Sequence, residues 1–168
     1  LEPHISSFCT PRDFKKIKKT QGTSWKNIIY ASMRIKSFEN VGTCVSQLFE
    51  KLSLDNSIKF VTKVSDLLGS RARLLLDLAV PNNFKETKKF IDEISPSNPY
   101  WIEEPVDGED ISKLVEVKND SKSKIVTGEK QCGVNHFNEL ILRNAADILN
   151  PDISCIGGIV EMLEISKN

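Results

Sequence analysis

Apolar and polar positions follow a regular order along the chain from Ile58 onward. Short apolar stretches that run directly into an acidic residue predict strands, and longer stretches with apolar positions three and four residues apart predict helices. The first helix, IKFVTKVSDLLG, is predicted to end at Gly69, and RARLLLDLAV (71–80) is predicted to be the strand after it. The later strands are predicted in YWIEE, KIVTGE and ILNPDI, and the helices that follow the four strands are predicted over 83–95, 109–120, 135–146 and 159–168.

The acidic residues at the ends of these strands recur at a nearly constant interval. Asp77, Glu103, Glu129 and Asp152 are separated by 26, 26 and 23 residues. An interval of this size accommodates a strand, a crossover helix and two loops, which indicates βα units and a parallel sheet. If each acid closes its strand, all four lie at the carboxyl ends of neighbouring strands, the face on which α/β barrels build their active sites.

The first third of the chain has a weaker pattern. Residues 27–35 suggest a strand and residues 45–52 a helix, but neither pattern is sustained. We therefore predict a poorly defined leader over 1–54, or a degenerate early barrel unit, and a partial barrel of about four βα units over 55–168. Since a complete (β/α)₈ barrel takes about 250 residues, the 168 residues predict roughly half of one in a truncated chain. Its uncovered apolar faces favour a homo-oligomer or pairing with further chain.

Composition narrows the classes of partner. Twenty-three basic and 23 acidic residues give no net charge, which argues against nucleic acid or an anionic membrane as a partner. No apolar run approaches the roughly 20 residues of a membrane span. Four widely separated cysteines without a C-x-x-C pair are typical of reduced thiols. We therefore expect a cytoplasmic location, with a mitochondrial one left open, and small molecules or protein surfaces as partners.

Carboxylates at the ends of adjacent strands repel one another unless a cation lies between them, and Mg²⁺ is the hard cation that carboxylate oxygens prefer. The alternative is that each acid caps a helix or pairs with a surface lysine. Four acids in register favour the metal. For Glu104 the alternative is favoured, because successive side chains of a strand point to opposite faces and Glu103 takes the inward one. Glu104 is then expected to contact a backbone or basic partner.

A group of motifs over about residues 56–168 resembles the enolase superfamily, in its mandelate racemase and muconate lactonizing enzyme branch. The motifs are LLLDLA, WIEEPV, IVTGE with HFNELI, and AADILNPDISCIGGIVEMLEI. The resemblance implies a modified TIM barrel with a capping domain, and a Mg²⁺ ion that holds a substrate carboxylate whose α-proton is removed. It implies Asp77, Glu103 and Glu129 as metal ligands. Asp152 matches the acid that in many members orients a catalytic histidine.

Within that branch, the TGE and WIEEP contexts are most similar to those of sugar-acid dehydratases such as L-fuconate dehydratase, which implies a sugar-acid substrate. The general base is harder to place. The branch has a K-x-K-type base, and its nearest match is Lys36 in RIK, which lies 41 residues before Asp77, farther than the family pattern. Counting back at the family spacing leads to Ser46 and Leu48 instead. No histidine follows Asp152.

Three functional hypotheses therefore stay open. The chain belongs to a Mg²⁺-dependent dehydratase, or to a racemase or cycloisomerase of the same branch, that is active only with a complete barrel. Alternatively, it is a catalytically inactive metal-binding homologue. In the third hypothesis it is a βα interaction module whose acids only cap helices. We expect no turnover from the 168 residues alone.

Overall fold

Six strands form a single sheet in which strand order follows chain order. The computed structural model describes residues 53–70, 73–79 and 83–167, together with the backbone of the strands at 34–35 and 42–46. The first two strands pair antiparallel, and every later neighbour pairs parallel. The strands are β1 (Arg34–Ile35), β2 (Gly42–Ser46), β3 (Arg73–Asp77), β4 (Trp101–Glu103), β5 (Lys124–Thr127) and β6 (Ile148–Leu149).

A helix follows each parallel strand from β2 to β6, so the described chain is a succession of βα units. The helices are α1 (Leu54–Leu68), α2 (Phe84–Ile94), α3 (Ile111–Asp120), α4 (Val134–Leu142) and α5 (Ile159–Ile165), and a 3₁₀ turn at Ser95–Ser97 extends α2. The predicted α/β class and partial barrel are confirmed.

Local sequence explains where the helices begin and end. The Asn83 side chain accepts hydrogen bonds from the backbone N–H groups of Lys85 and Glu86, and thereby caps α2. Asp110 caps α3 in the same way through the N–H of Lys113. Gly69 ends α1 with a positive φ of 54°, as predicted. These residues fix the starts of α2 and α3 and the end of α1.

The core lies between the sheet and its helices, and alternate strand residues supply it. In β3, Leu74 and Leu76 are buried while Leu75 and Asp77 are only half-buried, so the two sets lie on opposite faces of the sheet. The same core contains residues of the neighbouring strands and of the first four helices: Ile102, Ile125, Phe60, Val61, Val64, Phe90, Ile91, Ile94, Leu114, Val117, Phe137 and Leu140. The half-buried face that carries Asp77 is therefore the face of the sheet away from this core.

Two predicted boundaries are corrected. Helix α1 begins at Leu54 rather than Ile58, because the polar residues of its first turn conceal the periodicity. The predicted helix over 45–52 is wrong at its start, since Val45 and Ser46 close β2 and pair with Leu76 and Asp77 of β3. β-branched residues such as Val45 fit a strand that is paired on both sides.

The expectation that each acid closes its strand is right for two acids and wrong for two. Asp77 and Glu103 are the last residues of β3 and β4. Glu129 lies beyond the end of β5, because Gly128 turns the chain with a φ of 124°. Asp152 lies beyond the short β6, where Pro151 lacks the N–H that would continue the ladder.

Apolar side chains are exposed at the last helices. Leu142 at the end of α4 is 85% exposed, and Ile159, Val160 and Leu163 of α5 are 67%, 74% and 55% exposed. Homo-oligomerisation and the domain division at residue 54 stay predictions. In the described part of the chain, no helix has the length and apolar character needed to cross a membrane.

Candidate functional site

The carboxyl ends of four parallel strands are aligned in one row. Ser46 of β2 pairs with Asp77, Asp77 pairs with Glu103, and Glu103 pairs with Val126 of β5. Because partners in register on parallel strands project to the same face, the carboxylates of Asp77 and Glu103 share one face at one edge of the sheet. The strand periodicity thus places two of the predicted metal ligands side by side.

Glu103 is partly buried and lies near three other carboxylates, and both conditions affect its pKa. Its pKa is raised, first by partial burial and also by the negative charges of Asp77, Glu129 and Glu104. A hydrogen bond from Asn150 Nδ2 to Glu103 Oε1, at 2.9 Å, acts in the opposite direction and lowers this pKa. The charges that raise the pKa of Glu103 come from the two other predicted ligands and from its neighbour in the sequence.

The backbone just beyond β3 and β4 is unusual in both cases. Asp77 Oδ1 accepts a hydrogen bond of 3.0 Å from the N–H of Ala79, and Ala79 has a positive φ of 52°. Glu104 has a positive φ of 47°. Left-handed conformations of non-glycine residues cost of order 1–3 kcal/mol and persist where the surrounding structure imposes them. The two strand ends that carry Asp77 and Glu103 are therefore both held in strained turns.

Glu129 is the third predicted metal ligand, but it does not form a compact cluster with Asp77 and Glu103. Its side chain is exposed, one residue beyond the turn at Gly128. Among the described residues, no three His, Cys, Asp or Glu side chains lie close enough together to hold a metal ion. The donor chemistry nevertheless fits Mg²⁺, because Asp77, Glu103 and Glu129 supply only carboxylate oxygens. A cation at this position would also offset the negative charges of the carboxylates around Glu103.

Glu104 faces away from this edge and is buried, with 1% of its surface exposed. Its Oε1 accepts hydrogen bonds from the N–H of Gly128 at 3.0 Å and from the Thr127 hydroxyl at 3.2 Å. Its Oε2 is buried without a hydrogen-bond partner. Burial is the main cause of its raised pKa, and the hydrogen bond from Gly128 opposes it. The backbone partner expected for Glu104 is therefore confirmed.

Asp152 lies in the loop after β6, where it organises a turn. Its Oδ1 accepts hydrogen bonds from the backbone N–H and the hydroxyl of Ser154, at 2.8 and 2.7 Å. These bonds hold the pKa of Asp152 below its usual value. The catalytic role implied for Asp152 stays a prediction.

Lys36, the nearest match to the family's base, lies outside the described residues. The strand β1, which ends one residue before it, pairs antiparallel with β2 at Thr43 and Cys44. Ser46 instead occupies the position in register with Asp77. Ser46, the residue to which the family spacing leads, is therefore the last residue of β2 and lies beside Asp77, the first predicted ligand.

Two contacts of the residues at the end of β4 were not predicted from the sequence. Asn150 contacts Glu103 across 47 positions of the chain, and Thr127 contacts Glu104. The sequence does show that Asn150 in ILNPDI and Thr127 in IVTGE are polar residues at predicted strand ends, where they could contact a neighbouring strand. The partner of each depends on which strand ends lie next to each other in the sheet.

Comparison with known proteins places this geometry in context. Residues 16–167 match the family model for enolase C-terminal domain-like proteins. L-talarate/galactarate dehydratase of Salmonella typhimurium is 31% identical over 108 residues, which are 64% of this chain and 27% of that protein.

Two solved structures are similar in fold over most of this chain. An enolase from the environmental genome shotgun sequencing of the Sargasso Sea is 53% identical, with a TM-score of 0.71, over 77% of this chain and 34% of that one. L-talarate dehydratase from Polaromonas sp. JS666, complexed with Mg and L-glucarate, is 28% identical, with a TM-score of 0.68, over 77% of this chain and 35% of that one. The chain thus spans between 27% and 35% of the length of these relatives.

Proposed function

Because the chain belongs to the enolase C-terminal domain-like family, we propose that it supplies the metal-binding edge of a sugar-acid dehydratase. The observation that carries the proposal is the pairing of Asp77 with Glu103 at the carboxyl ends of adjacent parallel strands. The similarity to L-talarate and galactarate dehydratases supports a sugar diacid, or a related sugar acid, as the substrate class.

In this proposal Asp77, Glu103 and Glu129 hold Mg²⁺. When bound, Mg²⁺ stabilises the negative charge that develops on the substrate carboxylate as its α-proton is removed. The three side chains supply oxygen donors only, which suits a hard cation. Burial is the main cause of the raised pKa of Glu103, and a bound cation would offset the further contribution from the charges of Asp77, Glu129 and Glu104.

The surrounding residues would position this edge. Asn150 holds one oxygen of Glu103 through its amide, and Glu104 joins the turn after β4 to the turn after β5, one residue before Glu129. Lys36 is the candidate base, and Asp152 is the candidate for a residue that orients another catalytic side chain. In the dehydration the base takes the α-proton, the bond between the β-carbon and its hydroxyl breaks, and the hydroxyl leaves with a proton as water.

Calorimetric titration with Mg²⁺ tests the metal site directly. We expect saturable binding to the parent chain, loss of binding in the double variant Glu103→Gln/Glu129→Gln, and unchanged binding in Glu93→Gln, which alters an exposed carboxylate on α2. Circular dichroism establishes that each variant is folded. A folded parent that binds no Mg²⁺, or a double variant that binds it equally well, would contradict the proposed site.

A catalytically inactive homologue is the second candidate. It is favoured by the displaced position of Lys36 in the sequence and by the engagement of the Asp152 carboxylate with Ser154. Galactarate and L-talarate, incubated with the protein and Mg²⁺ in D₂O, separate the alternatives. Release of water with formation of a keto acid indicates a dehydratase. Exchange of the α-proton without loss of water indicates a racemase or cycloisomerase. Absence of exchange indicates an inactive homologue when the protein contains the complete barrel, whereas it is the expected result for these 168 residues alone.

A further inference from the structure

A second polar region lies at the opposite, amino-terminal ends of the strands. Arg73 begins β3, Tyr100 immediately precedes β4, and Lys124 begins β5. These residues line a cavity of about 890 Å³, together with Lys122 and the loop residue Asn98. Nothing in the proposed dehydratase chemistry uses this end of the sheet.

Two cations contact one tyrosine in this cavity. The guanidinium carbon of Arg73 lies 4.3 Å from the centre of the Tyr100 ring, and Lys124 Nζ lies 4.9 Å from it. Lys124 Nζ also donates a hydrogen bond of 3.3 Å to the Tyr100 hydroxyl oxygen. The negative face of the ring attracts each cation. Both positive charges are thus gathered at one phenol.

The balance of charge in the cavity is positive. Its described lining holds Arg73, Lys122 and Lys124 but only one acid, Asp66. Among the ion pairs of the described residues, none involves these three basic side chains, whereas Lys88 on α2 pairs with both Glu116 and Asp120. The described residues therefore contain no salt bridge that neutralises the positive charges of Arg73, Lys122 and Lys124.

The same charges act on the tyrosine itself. The pKa of Tyr100 is lowered, first by the hydrogen bond from Lys124, then by the positive charge of Lys124, and less by Arg73. A phenol that is surrounded in this way favours negative charge at its oxygen. An anion bound in the cavity would neutralise the charges of Arg73 and Lys124, and would thereby oppose their lowering of the pKa of Tyr100.

We propose that this cavity binds a phosphate-type oxyanion through Arg73 and Lys124. A guanidinium presents paired N–H donors that match the oxygens of such an anion, and a lysine adds a mobile positive charge. The Tyr100 hydroxyl oxygen accepts a hydrogen bond from Lys124 Nζ, and its own O–H is a further donor for the anion. Lys122 increases the local positive charge. The ligand is inorganic phosphate or the phosphoryl group of a small phosphate monoester, since both offer the same chemistry. This site is independent of the proposed metal site.

The test is calorimetric titration of the full chain with inorganic phosphate and, separately, with glycerol 3-phosphate, at constant ionic strength. We expect saturable binding that falls at least tenfold in Lys124→Gln and in Arg73→Gln. The control Lys89→Gln removes an equal charge from an exposed position on α2 and is expected to bind like the parent. Tighter binding of the ester indicates that the cavity holds a larger metabolite, and equal binding indicates the free anion.

An optical measurement gives a second readout. Phosphate is expected to raise the pKa of Tyr100, measured from phenolate absorbance, because an added negative charge disfavours the phenolate. The variant Tyr100→Phe assigns the signal, because the chain has only one other tyrosine. Absence of saturable binding by the folded parent would overturn the proposal. Equal loss of affinity in Lys89→Gln would also overturn it, because that result indicates a general effect of net charge.

Discussion

Glu104 accepts a hydrogen bond from the backbone N–H of Gly128 at 3.0 Å, and this contact ties the residue after β4 to the residue after β5. The predicted metal ligands Glu103 and Glu129 each lie one residue away from this contact. The carboxylate that faces away from the candidate site therefore joins the two turns that carry it. Its loss should affect stability and also the positions of both neighbours.

Truncation of this side chain tests its contribution to stability. Glu104→Ala leaves the N–H of Gly128 and the hydroxyl of Thr127 without their buried acceptor, and we expect it to lower the free energy of unfolding by about 1–3 kcal/mol. Glu104→Gln retains an acceptor oxygen and should cost less. Urea denaturation measures both changes, with the exposed Glu93→Ala as a control. An equal loss in Ala and Gln variants would argue against the hydrogen bonds as the cause.

The raised pKa of Glu104 predicts a dependence of stability on pH. Its pKa in the folded chain is above the usual 4.5, mainly because burial disfavours the charged form. Stability linked to a raised pKa is fully present below the unfolded pKa and is lost as the pH rises through the folded pKa. The parent should therefore gain stability relative to Glu104→Gln as the pH is lowered from neutrality toward the usual pKa of 4.5.

Urea denaturation of both proteins across this range measures the difference. Subtracting the two curves cancels groups whose pKa does not depend on Glu104, including Asp110 and Asp152, whose pKa values are lowered and which act in the opposite direction at lower pH. Glu103 does not cancel completely, because the charge of Glu104 contributes to its raised pKa. A difference in unfolding free energy that does not change with pH would indicate that Glu104 is not the group that titrates.

The hydrogen bond from Asn150 is expected to lower the pKa of Glu103, against the larger effect of burial. Removal of its amide in Asn150→Ala takes away the hydrogen bond that lowers the pKa of Glu103, so this pKa should rise further. Carboxyl-carbon NMR titration measures the pKa directly. Asn119→Ala, at an exposed position on α3, should leave the titration unchanged. A lower or unchanged pKa in Asn150→Ala would show that the 2.9 Å contact does not stabilise the carboxylate.

The sequence pattern predicted the βα succession well because its signals are local. Hydrophobic periodicity depends on near neighbours, and so do the side-chain caps that Asn83 and Asp110 supply to α2 and α3. The predicted helix over 45–52 was wrong at Val45 and Ser46 because their strand is stabilised by pairing with β3, which is distant in the sequence.

The candidate site was predicted in its residue types but less well in its geometry. The register of the strands placed Asp77 beside Glu103, as the spacing indicated. The position of Glu129 depends on the turn at Gly128, and the contact of Asn150 with Glu103 depends on how a distant loop packs. The spacing of the acidic residues along the sequence predicts neither the position of Glu129 nor the contact of Asn150 with Glu103.

Gly128 provides a test of how closely the turn before Glu129 is constrained. Its φ is 124°, and a Cβ at this position would lie 3.0 Å from Phe137 Cε1 and 3.2 Å from the backbone nitrogen of Asn150. Gly133 also has a positive φ, 77°, but a Cβ there would meet no atom within 4 Å. Alanine at Gly133 introduces backbone strain without a close contact, whereas alanine at Gly128 introduces strain together with a steric conflict. The difference between the two variants therefore measures the steric conflict.

We expect Gly128→Ala to lower the free energy of unfolding by about 1–3 kcal/mol more than Gly133→Ala, because overpacking adds to the strain that both share. Urea denaturation measures the difference. Since Glu129 directly follows Gly128, any Mg²⁺ affinity measured by calorimetry should also fall more in Gly128→Ala than in Gly133→Ala. Equal losses of stability in the two variants would mean that Phe137 and the Asn150 backbone move aside, and that the turn does not fix the position of Glu129.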